Sequence, residues 1–223
     1  MPIEFAEVLM YLTRALLIAL SLIVTGCMAF PKYPTERIAT YSYGGKAPSA
    51  KTVKISNVEL SETQLAFSVR NDGKSTLKIL WDETVLVMPD GAAKKVLPVG
   101  TKYADATRSI PPAVIPAGTS LETAVSRVDG ISFEHGYWQN ESLIPCGSNM
   151  DHALNPCDPK QYDGKQLSLL LTIEQGDKKS ELRIDGALGI KPEYATWREK
   201  WEAEKKPKSQ TPASSNTPAP SGA

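Results

Sequence analysis

Residues 166–190 read QLSLLLTIEQGDKKSELRIDGALGI, and their alternation decides the fold class. Leu167, Leu169, Leu171 and Ile173 share one face of an extended chain. Ser168, Thr172 and Glu174 share the other, with Leu170 as the apolar exception. A period of two is the mark of a strand with one dry face. Gln175-Gly176-Asp177 supplies a turn. The return then places Leu182 and Ile184 inward and extends past Gly186 through Leu188 and Ile190. A hairpin with one buried and one wet face is the usual unit of an antiparallel sheet.

Upstream the same rhythm repeats. Val53 and Ile55 alternate with Lys54 and Ser56, and Val58 and Leu60 continue one step out of phase. A bulge near Asn57 accounts for the slip. Residues 63–70 alternate cleanly through Leu65, Phe67 and Val69, and Leu77, Ile79 and Trp81 follow on one face. Asn71-Asp72-Gly73 lies between them, so residues 63–81 are expected to form a second hairpin. Residues 85–88 make a short apolar strand that ends at Pro89-Asp90-Gly91, with a return over 95–99. Pro111, Pro112 and Pro116 exclude a central strand there and fit an edge crossing. Pro116-Ala117-Gly118 turns the chain into a strand over 121–125.

The totals agree. Seventeen prolines and 15 glycines in 223 residues favour strands and turns over long helices. The expectation is a mainly β protein: a single antiparallel Ig-like β-sandwich with Greek-key wiring, seven to nine strands over residues 51–190, and a short C-terminal helix. Lys plus Arg and Asp plus Glu balance at 25 each, so no net field favours nucleic acid.

The sandwich is set within a longer chain. Residues 15–27 read ALLIALSLIVTGC: eleven positions without a charge, then Gly26 and Cys27. The run is too short to span a bilayer as a helix, and it suits the core of a secretion signal. Glu4 and Glu7 fit a signal poorly, whereas a start at Met10 gives MYLTR and removes both acids. The ending VTGC resembles the lipobox of bacterial lipoproteins. That resemblance implies a signal peptide over 1–26, cleavage before Cys27 and lipid on its sulfur. Met28 follows the cysteine in place of an aspartate, which by the enterobacterial sorting pattern implies the outer membrane. Residues 71–125 also look like a pattern of small bacterial lipoproteins of unassigned function. The shared elements are N-x-G, ILWDETVLVMPDG, VLPVGTKYAD and PPAVIPAGTSL. Desiccation-type sandwich domains resemble the chain more loosely, through a strand, N-x-G, strand order. Neither likeness implies a catalytic residue.

Residues 27–50 hold Pro31, Pro34, Pro48 and the pair Gly44-Gly45, and they read as a tether. Tyr33, Tyr41 and Tyr43 fall within it. Residues 207–223, PKSQTPASSNTPAPSGA, are expected to be disordered by composition.

Two stretches are candidates for contact. Residues 131–159 break the strand rhythm and read as a long loop carrying Tyr137 and Trp138. Cys146 and Cys157 lie in it eleven positions apart, and with Cys27 committed to lipid they form an even pair. In an exported protein they are expected to form a disulfide worth about 3 kcal/mol. His135 and His152 fall in the same stretch, but the cysteine spacing is wide for zinc, so no metal or cofactor is expected. The second stretch, residues 191–206, is helical: Pro192 and Glu193 open it, and Lys205 and Lys206 close it. Tyr194, Trp197 and Trp201 then form one aromatic stripe. The stripe either docks on the sandwich or presents an interface.

No Gly-x-Ser-x-Gly, His-Glu-x-x-His or phosphate-loop spacing occurs. Glu134 beside His135 is too little to define an active site. The expected function is therefore non-catalytic: a lipid-anchored envelope protein that binds other envelope proteins. An envelope hydrolase and a carrier of a small apolar ligand are the alternatives. A deep pocket near Glu134 or His135 favours chemistry, and a flat aromatic patch favours binding.

Overall fold

The structure is a computed structural model and describes residues 34, 36–46 and 50–205. The expected signal peptide, Cys27, Tyr33 and the tail from 207 onward lie outside the described residues.

The fold is built on the hairpin of β11 (Gln166–Gln175) and β12 (Lys178–Ile190). Gly176 takes φ 60° in the two-residue turn between them, a conformation that costs glycine little. Leu169 faces Ile184 and Leu171 faces Leu182 across the ladder, and all four are buried. On its other side β11 is flanked by β4 (Leu77–Ile79) and β5 (Val85–Val87) in succession. A single 3-10 turn, Trp81–Glu83, separates these two strands. Thr172 bridges the gap: its carbonyl accepts from Leu80 N–H, its N–H donates to Thr84 Oγ1, and its hydroxyl donates to the Glu83 carbonyl. A buried backbone group needs such a partner wherever a ladder is interrupted.

The second half of the sheet contains β2 (Val53–Leu60), β3 (Leu65–Asn71) and β8 (Ser120–Arg127). The expected bulge is present: the β2–β3 register shifts between Ser56 and Glu59, and Asn57 takes φ 52°. The halves are joined by β6 (Ala93–Pro98), which pairs with β5 through residues 93–95 and with β8 through residues 96–98. The strand path is β1 (Tyr41–Lys46), β12, β11, β5, β6, β8, β3, β2. It is nearly closed into a barrel, with the first strand beside the last. Phe67, Leu77, Ile79, Leu86, Val96 and Val125 join the β11 leucines in the core. Including β7 (Ala113–Ile115) on β4 and a separate two-stranded ribbon, the described residues form twelve strands, more than the seven to nine expected.

Three expectations need correction. First, residues 63–81 are not a hairpin: β3 pairs with β2 and β8, whereas β4 pairs with β11 and β7. Asn71-Asp72-Gly73 carries the chain from one side of the core to the other. The Asn71 side chain directs this crossing by accepting from Gly73 N–H and donating to the Ser75 and Ile115 carbonyls.

Second, the tether over 27–50 does not extend unbroken to residue 50. Tyr41–Lys46 form β1, antiparallel to β12 with Tyr41 opposite Ile190 and Lys46 opposite Asp185. Its glycines hid it. Gly45 sits opposite Gly186, and a Cβ on either would overlap the Tyr43 ring that covers them. The Tyr43 hydroxyl lies 3.0 Å from the Leu167 carbonyl and 3.3 Å from that of Ile184, so the ring stands in for the missing side chains.

Third, residues 131–159 are not a plain loop. They contain the ribbon β9 (Ile131–Glu134) and β10 (Tyr137–Asn140), then helix α1 (Asn149–Leu154). His135 and Gly136, at φ 53° and 87°, make the two-residue hairpin turn that sequence inspection passed over.

Candidate functional site

The C-terminal helix α2 spans Pro192–Lys205. Its aromatic stripe is turned inward. Tyr194 is 0% exposed, and burial raises the pKa of its hydroxyl. Trp197 meets the Tyr194 ring at 5.7 Å and stacks on Trp201 at 5.3 Å. The edge of Trp197 also meets His152 of α1 at 6.0 Å. Tyr194 therefore belongs to the interior, and Trp197 and Trp201 are half-buried, so the stripe docks on the β-domain.

α1 and the disulfide form the other wall. Cys146 and Cys157 are bonded, with Cα atoms 6.0 Å apart. Ser148 caps the helix in a reciprocal pair with Asp151, each side chain bonding the other's backbone N–H. His152 Nδ1 lies 3.0 Å from the Cys157 carbonyl. Arg198 of α2 reaches Asp158 at 3.4 Å and Glu202 at 2.7 Å. The Lys160 N–H, and after it Arg198, hold the Asp158 carboxyl below the ordinary range. The open cleft between α2 and this loop is lined by His152, Pro156, Arg198 and Trp201. Arg198 there is paired with Asp158 and Glu202, and Lys205 lies over the Trp201 ring at 4.6 Å.

The same loop grips the incoming chain. Asn149 accepts from Ile38 N–H and donates to the Glu36 carbonyl, and its own N–H donates to Ile38. Thr40 N–H donates to the Gly147 carbonyl at 2.8 Å. Arg37 pairs with Glu62 at 2.7 Å. The first described residues are thereby fixed to a segment that the disulfide closes.

The remaining expected contact residues, Tyr137 and Trp138, lie on the β9–β10 ribbon. Tyr137 is 58% exposed and Trp138 43%. Phe133, 59% exposed, pairs across the ribbon with Trp138 at 5.2 Å, and Tyr103 meets Trp138 at 6.2 Å. Phe133 and Tyr103 were not singled out in the sequence, although ISFE and YWQN around His135-Gly136 carry the hairpin pattern. Glu134 and His135 sit at the ribbon's turn, outside the cleft beside α2 and the cavity at the ribbon's base. His152 is held in α1 against Trp197, so the two histidines are not a shared site. Among the described residues no group of three or more His, Cys, Asp or Glu side chains is placed to hold a metal ion. None of their helices is long and apolar enough to cross a membrane.

No protein-family model, curated protein or solved structure matches this chain.

Proposed function

We propose that this chain is a lipid-anchored, non-catalytic protein of the bacterial cell envelope, held at the outer membrane through Cys27 and acting as an accessory that binds other envelope proteins. The observation that carries the reading is the order of residues 15–27: a short uncharged apolar run, Gly26, then cysteine. A multiply acylated cysteine would give the durable attachment that one acyl chain does not. Two features support it. A Cys146–Cys157 disulfide suits an oxidising compartment outside the cytoplasm. The grip of residues 147–149 on residues 36–40 would transmit any pull on the tether into the sheet. For the fold, we read the barrel-like sheet as an Ig-like sandwich, with β6 as the strand that turns from one layer into the other.

The test is Cys27→Ser in cells. The account expects uncut precursor that fails to float with membranes in the mature form. Normal maturation and flotation of that variant would reject the anchor.

A further inference from the structure

We propose that the β9–β10 ribbon is a second membrane contact, with Phe133, Tyr137 and Trp138 seated among the headgroups of the bilayer that carries the tether. The inference rests on the lipid anchor and adds to it the face that the domain turns toward the membrane.

Six large apolar residues are strongly exposed among the described residues. Phe133, Tyr137 and Trp138 are three of them, and all are on this ribbon. A fourth, Leu154, 65% exposed, lines the same cavity as Gln139 and Asn140 at the ribbon's base.

Arg37 lines that same cavity of about 400 Å³. The first described residues therefore lie beside the ribbon's base. Only ten positions separate Cys27 from Arg37. Fully extended they reach about 35 Å at most, so this end of the domain cannot stray far from an acylated Cys27.

Phe133 and Trp138 are paired on one face, while Tyr137, opposite Glu134, projects from the other. A lipid headgroup layer can take rings from both faces of an inserted ribbon. Tyrosine and tryptophan favour that layer because each joins an apolar ring to a polar tip. Glu134 limits the depth: its carboxylate keeps the turn at headgroup level and out of the hydrocarbon.

The test uses the mature protein purified from its membrane and reconstituted in vesicles of phosphatidylethanolamine and phosphatidylglycerol at about three to one. Tryptophan fluorescence is read with lipids brominated high on the acyl chain, for wild type and for Trp138→Phe. Trp138 is one of four tryptophans, so the variant isolates its share. The expected result is clear quenching in wild type and loss of most of it in Trp138→Phe. Phe133→Ser, with Trp138 retained, is expected to reduce the quenching in part. Equal quenching in wild type and Trp138→Phe, on protein whose Cys27 carries acyl chains, overturns the ribbon contact and leaves the anchor standing. Absence of acyl chains on Cys27 overturns both. A photo-crosslinker at position 138 that captures a protein and no lipid in intact cells also overturns the proposal, in favour of a protein interface.

Discussion

Asn71 is the residue whose replacement should reveal how the two sides of the core are joined. It is 0% exposed, and its side chain makes four hydrogen bonds. Nδ2 donates to the Ser75 and Ile115 carbonyls, each at 2.9 Å. Oδ1 accepts from Gly73 N–H at 3.0 Å and from Gln175 Nε2 at 2.9 Å. Its backbone is also engaged, donating to Thr119 and accepting from Gly118 at 2.7 Å. Both chain crossings, at 71–75 and 115–119, are thus fastened to one residue. Asn71→Leu keeps the size and removes all four side-chain bonds. Each is worth about 1 kcal/mol net, and the Ile115 carbonyl, left buried without this donor, adds about 1–2 more. The expected loss is about 5 kcal/mol, or about 10–20 °C in Tm for a domain of this size. Urea unfolding followed by tryptophan fluorescence reads it. A loss below about 1 kcal/mol would refute the view that Asn71 joins the two sides of the core.

Asn71→Asp tests the same site by charge. The carboxylate would face two carbonyls where Nδ2 now donates, and burial adds to the penalty on its charged form. Its folded pKa should therefore be raised above the unfolded value. A raised pKa contributes stability that is present below the unfolded value and lost as pH rises through the folded one. The gap between variant and wild type should widen from pH 4 toward pH 7, by up to about 1.4 kcal/mol per pH unit. A gap that stays flat or narrows contradicts the assignment.

Three other outcomes are expected. Gly186→Ala drives a methyl into the Tyr43 ring and breaks its bonds to Leu167 and Ile184, so β1 should lose amide-exchange protection while β11 keeps it, at a cost of about 2 kcal/mol. Replacing Cys146 and Cys157 by serine should cost about 3 kcal/mol and expose residues 36–40 to limited proteolysis, because the segment that grips them is no longer closed. Asp82 is held below the ordinary carboxylate range, first by the Ser109 hydroxyl and then by Lys95 and the Ile110 N–H, against the opposing effect of burial. A lowered pKa contributes stability above the unfolded value, lost as pH falls through the folded one, so Asp82→Asn should flatten the acid limb of the stability profile below about pH 4.

The strands that alternate strongly were legible in the sequence. β11, β12 and β3 bury Leu, Ile, Val and Phe at alternate positions, β2 does so on either side of its bulge, and that pattern survives any partner choice. Pairing was less legible. Asn-Asp-Gly favours a hairpin locally, but at Asn71 the turn is set by long-range bonds to Ile115 and Gln175, more than 40 positions away. β1 was hidden because its stability comes from backbone pairing and one tyrosine ring, which leaves no apolar period. The contact candidates divided for a similar reason. Spacing placed Tyr194, Trp197 and Trp201 on one helix face, but spacing alone does not say whether that face turns toward α1 or toward solvent. Tyr137 and Trp138 are exposed because their ribbon pairs only with itself.

The most direct measurement is mass spectrometry of the N-terminal peptide from protein extracted from its native membrane. The account predicts a peptide that begins at Cys27 and carries fatty acyl mass on the cysteine. A peptide that retains residues upstream of Gly26, with Cys27 unmodified, would contradict it.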